Sequence, residues 1–145
     1  MSRKKHRDKT IIKTAGTLVS FLRHNGVRIM RYDSYSSNSI YLKLDYGLLY
    51  SIRISDHRGK EHLRYRFNVI KGYKGPRYVP TKWGWQREFY PLEPDDLNDL
   101  CMQILYMKEA KLREFGPFRY QTLMEKRQRM HATEHGFWQM AKDLG

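Results

Sequence analysis

His131, Glu134 and His135 stand at the spacing H-x-x-E-H, which on a helix sets two imidazoles one turn apart as zinc ligands beside a glutamate base. A catalytic zinc needs a further protein ligand, and the ten residues that follow offer Asp143 as their sole acid. The spacing therefore reads as the polar end of a helix. Asp56 and His57 would supply an acid and a base, but neighbours in a turn point in different directions and no nucleophile lies near them. Asp56 with Gly59 suits a turn instead. Asp95, Asp96 and Asp99 sit where a helix begins and complement its dipole rather than converge on a metal. Gly72 and Gly75 precede no helix on which a phosphate could rest. The single cysteine, Cys101, can form neither an intramolecular disulfide nor a cysteine-based zinc site. Neither an enzyme nor a cofactor nor a bound metal is expected.

What remains is the chemistry of charge and stacking. The chain carries 28 Lys and Arg against 15 Asp and Glu, a formal net charge of +13 over 145 residues. That excess repels itself unless an anionic partner offsets it, and phosphate is the usual partner. The candidate contacts fall in three groups. A basic arm holds Arg3, Lys4, Lys5 and Arg7 and nothing apolar to bury. A run of strands carries Arg28, Tyr32, Tyr41, Lys43, Arg53, Arg64 and Arg66 at positions alternating with apolar ones. A Gly- and Pro-rich stretch over residues 71–91 adds Lys71, Tyr73, Lys74, Arg77, Lys82, Trp83, Trp85 and Arg87. Cations neutralise phosphates, aromatic faces stack on bases, and glycines let the backbone approach closely.

The elements that must position these residues are read from periodicity. Ile11, Ala15, Leu18 and Leu22 recur at helical spacing before Asn25-Gly26, which predicts a helix over 9–24. Strand-like runs follow at Val27–Tyr32, Ile40–Asp45, Leu49–Ser55 and Leu63–Ile70, with connections short enough to suggest a four-stranded antiparallel meander. Alternation assigns Val27, Ile29, Ile40, Leu42, Leu44, Tyr50, Ile52, Ile54, Leu63, Tyr65, Phe67 and Val69 to the core side, leaving the cations and tyrosines on a reverse face without an acid. Residues 71–91 read as a packed aromatic loop. Pro94-Asp95-Asp96 opens a long helix over 95–114, and Pro117 opens a third running to about residue 135. The expected class is α+β: a flexible arm over 1–9, then one domain over 10–145. No signal peptide and no apolar run of membrane-spanning length is visible, so a cytoplasmic protein is expected.

Ser36-Ser37-Asn38-Ser39-Ile40-Tyr41-Leu42-Lys43-Leu44, followed by Ile52-Arg53-Ile54-Ser55-Asp56-His57, resembles a serine-then-strand hairpin ending in R-I-S-D-H found in small proteins of phages and mobile elements. Some anti-CRISPR proteins are similar in kind. The likeness covers about a sixth of the chain. It implies a phage-encoded protein in a bacterial cytoplasm that inhibits a Cas9-like effector by blocking its nucleic acid, and it carries over no catalytic residue. A general DNA- or RNA-binding protein and a small nuclease are the alternatives. Both binding readings expect charge reversal at Arg53, Arg64 and Arg66 to weaken binding while the fold persists.

Overall fold

The computed structural model describes residues 8–35, 37–60, 64–134 and 136–145; Arg3, Lys4, Lys5 and Arg7 of the basic arm, Leu63 and His135 lie outside them, while Asp8 and Lys9, expected in the flexible arm, cap and begin the first helix. The first helix, α1, spans Lys9–His24. Asp8 caps it, its carboxylate accepting the amide N–H of Thr10 at 2.8 Å and that of Ile11, which satisfies donors that have no partner in the first turn. The apolar stripe of Ile11, Ala15, Leu18 and Leu22 is buried. A second helix, α2, spans Pro94–Phe115 with Pro94 at its start and Asp95 and Asp96 in its first turn. Gly116, at φ +82°, breaks it in a backbone region that a side chain would strain, and Pro117 immediately begins α3, Pro117–Met130. Two short 3₁₀ turns, His131–Thr133 and Gly136–Met140, replace the end of the third helix expected from the sequence.

Between α1 and α2 run six strands: β1 (Ile29–Asp33), β2 (Ile40–Leu44), β3 (Ser51–Ser55), β4 (Phe67–Ile70), β5 (Tyr78–Pro80) and β6 (Gln86–Pro91). A seventh, β7 (Lys142–Asp143), follows α3. They form one sheet in the order β5-β6-β4-β3-β2-β1-β7. This overturns the four-stranded meander. β1, β2 and β3 are antiparallel neighbours, but β4 lies parallel to β3 and β6 parallel to β4. Alternation could not reveal this, because a period of two reads the same in either direction. Ile52 and Ile54 face the same core as Phe67 and Val69 whether the strands run together or oppositely. The aromatic stretch after residue 71 hides β6 for another reason. Arg87, Glu88, Phe89 and Tyr90 are all buried, so a strand covered on both faces shows no polar alternation.

One face of the sheet packs against α1 and α2, with Leu22, Ile29, Leu42, Leu44, Ile54, Phe67, Tyr90, Leu100 and Ile104 in its core. On the reverse face α3 gathers a second cluster of Met30, Tyr46, Leu48, Tyr120 and Met124. The two clusters meet at Asp45, which is fully buried. Its carboxylate accepts the N–H of Arg28 at 2.8 Å and the phenol of Tyr120, and it lies 3.0 Å from the ammonium of Lys108. Burial, then the Asp45 carboxylate, pushes the Tyr120 phenol far above its ordinary range. At the sheet edge the Tyr46 phenol donates to Asp143 at 2.9 Å, and burial with that carboxylate raises it to about 12.

Removing one partner of a buried ionic cluster leaves the others desolvated and unpaired, at a cost of about 3–5 kcal/mol. Asp45→Ala is therefore expected to lower unfolding free energy by about that amount, whereas Asp143→Ala at the exposed edge should cost roughly 1 kcal/mol or less. Urea titrations of the two variants followed by circular dichroism check this ordering.

Candidate nucleic-acid interface

The residues expected on one open basic face divide into three kinds of environment. Arg53 and Arg87 are buried, at 2% and 5% exposure. Arg53 donates to the carbonyl of His57 at 2.9 Å and to the hydroxyl of Ser39 at 3.1 Å, and Ser39 donates in turn to Ser55. Gly59 lies over the Arg53 guanidinium at φ +69°; a Cβ there would sit 2.8 Å from its nitrogen. Arg87 donates to the carbonyl of Arg58, and both guanidinium groups lie over the Phe89 ring at about 5 Å. The R-I-S-D-H segment ends the antiparallel hairpin of β2 and β3, with Arg53, Ile54 and Ser55 buried and Asp56 and His57 exposed. The expected charge reversal at Arg53 is corrected accordingly: a carboxylate there would be buried beneath residues 57–59, and the fold itself would suffer.

A second group meets acids that the linear pattern could not show. Lys43 is paired with Glu134, Arg66 with Glu88 at 3.2 Å, Lys71 with Asp8 at 2.6 Å and Arg77 with Asp96 at 2.9 Å. The tyrosines are also engaged. Phe137 sits with its ring centroid 5.1 Å from Tyr32 and 4.6 Å from Tyr41, and Tyr65 closes on Tyr41 at 5.0 Å. Tyr65, assigned to the core side by alternation, therefore packs on the reverse face, because the strand begins only at Phe67. Lys43 lies 4.6 Å over the Trp138 ring. The C-terminal segment covers the tyrosine platform, held by Glu134 between Lys43 and His131.

A third group remains open. Arg64, Arg66, Trp85, Gln86 and Tyr50 line a cleft of about 690 Å³. Tyr50 also lines a second cleft of about 630 Å³, which holds Lys43, Lys126 and Arg127. Alternation placed Tyr50 in the core, yet it is 42% exposed. The 3₁₀ turn Asp45–Gly47 and a φ of +66° at Tyr50 itself rotate the ring outward before β3 begins. Its ring lies 4.8 Å from the Arg66 guanidinium and 4.8 Å from the Lys111 ammonium. Among the described residues Arg64, Lys126 and Arg127 have no carboxylate within ion-pair distance. Lys126 and Arg127 lie on α3, and nothing local in the sequence ties α3 to β3. Lys74, Lys82 and Trp83 are exposed in the loops flanking β5, Tyr73 stacks on Phe89, and Arg28 neighbours Gly145.

The candidate catalytic residues are engaged as follows, with His135 outside the described residues. The His131 ring nitrogen is 2.9 Å from Glu134, Asp56 accepts from Asn38, and Arg77 bridges toward Asp96 and Asp99. Among the described residues no three potential ligands are grouped to hold a metal ion, and no helix is long and apolar enough to cross a membrane. No family model matches the chain, and neither does any curated protein or solved structure.

Burial opposes ionisation of Glu134, but hydrogen bonds from Lys43 and His131 outweigh it and hold the carboxyl below its ordinary range. A lowered folded value contributes stability above the ordinary glutamate range that is lost as pH falls through the lowered value. Acidification should thus loosen the cover: in a Trp83→Phe, Trp85→Phe protein, Trp138 emission is expected to shift to the red at acid pH. Glu134→Gln should bring that shift to neutral pH. Emission unchanged in both cases would mean that Glu134 does not hold the segment.

Proposed function

We propose that this chain is a non-catalytic binding protein for nucleic acid or a nucleoprotein, and that it grips the polyanion through the two basic clefts that meet at Tyr50. The observation that carries the reading is their composition. Arg64 and Arg66 line one cleft and Lys126 and Arg127 the other, with an exposed aromatic ring shared between them. Guanidinium and ammonium groups neutralise phosphates with release of counterions, and rings supply sequence-tolerant stacking. A formal net charge of +13 adds long-range attraction for the same partner.

The serine-strand resemblance narrows the partner to a Cas-type effector ribonucleoprotein in a bacterial cytoplasm, the chain acting as a phage-type inhibitor. That narrower form draws its support from the resemblance and the basic charge. Affinity capture from a bacterial host with and without nuclease separates the two: a nuclease-resistant effector supports the inhibitor, and nuclease-sensitive mixed DNA or RNA supports the general binder.

Binding of a fluorescent oligonucleotide, followed by anisotropy over a salt series, tests the clefts. Arg64→Glu and Arg127→Glu are each expected to weaken binding and to reduce the slope of log affinity against log salt by about one. Full affinity and an unchanged slope in the double variant would remove the clefts from the interface.

A further inference from the structure

We infer that the cleft between Tyr50 and Trp85 is a subsite for one unpaired nucleotide of a single-stranded nucleic acid, its phosphate on Arg64 and Arg66 and its base against the aromatic walls. The inference rests on the nucleic-acid reading above and specifies the form of ligand. At about 690 Å³ the cleft falls within the size range of pockets that enclose small organic molecules. Duplexes are read by elements that protrude into a groove. A recess walled by Tyr and Trp admits a base only after that base has left its stack.

The walls are arranged for such a guest. Arg66 is aimed by its own ion pair: its Nε lies 3.2 Å from Glu88, which also accepts from the Tyr90 phenol at 3.0 Å. The terminal guanidinium nitrogens of Arg66 make no hydrogen bond among the described residues, and the group stacks on Tyr50. Arg64 is exposed and unpaired there, and among the described residues no carboxylate lines the cleft. Tyr50 is locked in place, its N–H donating to Gly47 and its carbonyl accepting from Leu44, in a backbone conformation that L-residues seldom adopt. Trp85 is fixed differently. Its carbonyl accepts from both the amide and the hydroxyl of Thr81, while its buried indole N–H has no acceptor among the described residues. The backbone is pinned and the indole edge is buried, which holds the ring as a wall of the cleft. A simple anion would use the guanidinium groups without the rings, and an apolar molecule the rings without the guanidinium groups. A nucleotide uses both.

The test compares a fluorescent single-stranded oligonucleotide with the duplex of the same sequence, by anisotropy at one salt concentration, for the wild type, Trp85→Leu, Trp85→Phe and Arg127→Glu. Circular dichroism confirms that each variant is folded. The single strand is expected to bind the wild type at least about tenfold more tightly than the duplex. Trp85→Leu should lose roughly tenfold on the single strand, the scale of one stacked base, with duplex binding unchanged. Trp85→Phe should keep most of the affinity, and Arg127→Glu should weaken both ligands alike. Equal affinity for the two ligands, with Trp85→Leu neutral, overturns the subsite and leaves the broader reading standing. Failure of the wild type to bind either oligonucleotide overturns both.

Discussion

The buried carboxylate of Asp45 holds the sheet, α2 and α3 in one arrangement. A charge at zero exposure is tolerated only when it is paired and hydrogen-bonded. Asp45 meets that condition with groups from three directions: the N–H of Arg28 before β1, Lys108 on α2 and Tyr120 on α3. The same cluster fixes the turn between β2 and β3. Lys111, one turn along α2 from Lys108, donates to the carbonyl of Leu48 at 2.6 Å, so two lysines of one helix face clamp both ends of that turn. Asp45, Tyr46 and Tyr50 all lie at positive φ, each at a cost of about 1–3 kcal/mol that persists only where surrounding contacts over-determine the backbone. The exposed Tyr50 ring and the two clefts it separates follow from that constraint.

The reverse face of the sheet is built as a second interior. Residues 57–59 close over Arg53, Tyr73 and two guanidinium groups close over Phe89, and Phe137 fills the space between Tyr32 and Tyr41. Arginine and tyrosine suit this role, since a guanidinium plane packs flat on a ring while its edges hydrogen-bond. A face that looks like an open binding platform in one dimension is thereby used for packing. Binding capacity moves to the margin, where β3 meets α3 and where the chain before β4 approaches β6.

The helices were legible because a helix satisfies its backbone within a few residues and repeats its burial every turn. The stripe from Ile11 to Leu22, Pro94 at one start and Gly116-Pro117 at one break all act locally. The strands Ile40–Leu44 and Ser51–Ser55 were equally plain, as was the antiparallel pairing of β1, β2 and β3, but the direction of the later strands was not. Parallel β4 and β6 depend on where the chain returns, which no side-chain period encodes. Of the candidate site, Arg64, Arg66 and Trp85 were read from the sequence as partner-binding residues. Tyr50 was missed because alternation was carried across a 3₁₀ turn that changes its phase.

By itself, then, the sequence determined the charge of +13, the absence of a cysteine pair, the helical stripes and the supply of arginines and aromatics, since these depend on composition or on neighbours a few positions apart. The tertiary structure alone decided which cations meet an acid. Lys43 finds Glu134 and Lys71 finds Asp8 across 91 and 63 residues of chain. Coulomb attraction and desolvation act through space rather than along the chain. The sign of a residue could be read from its name, whereas its freedom to hold a partner had to await the fold.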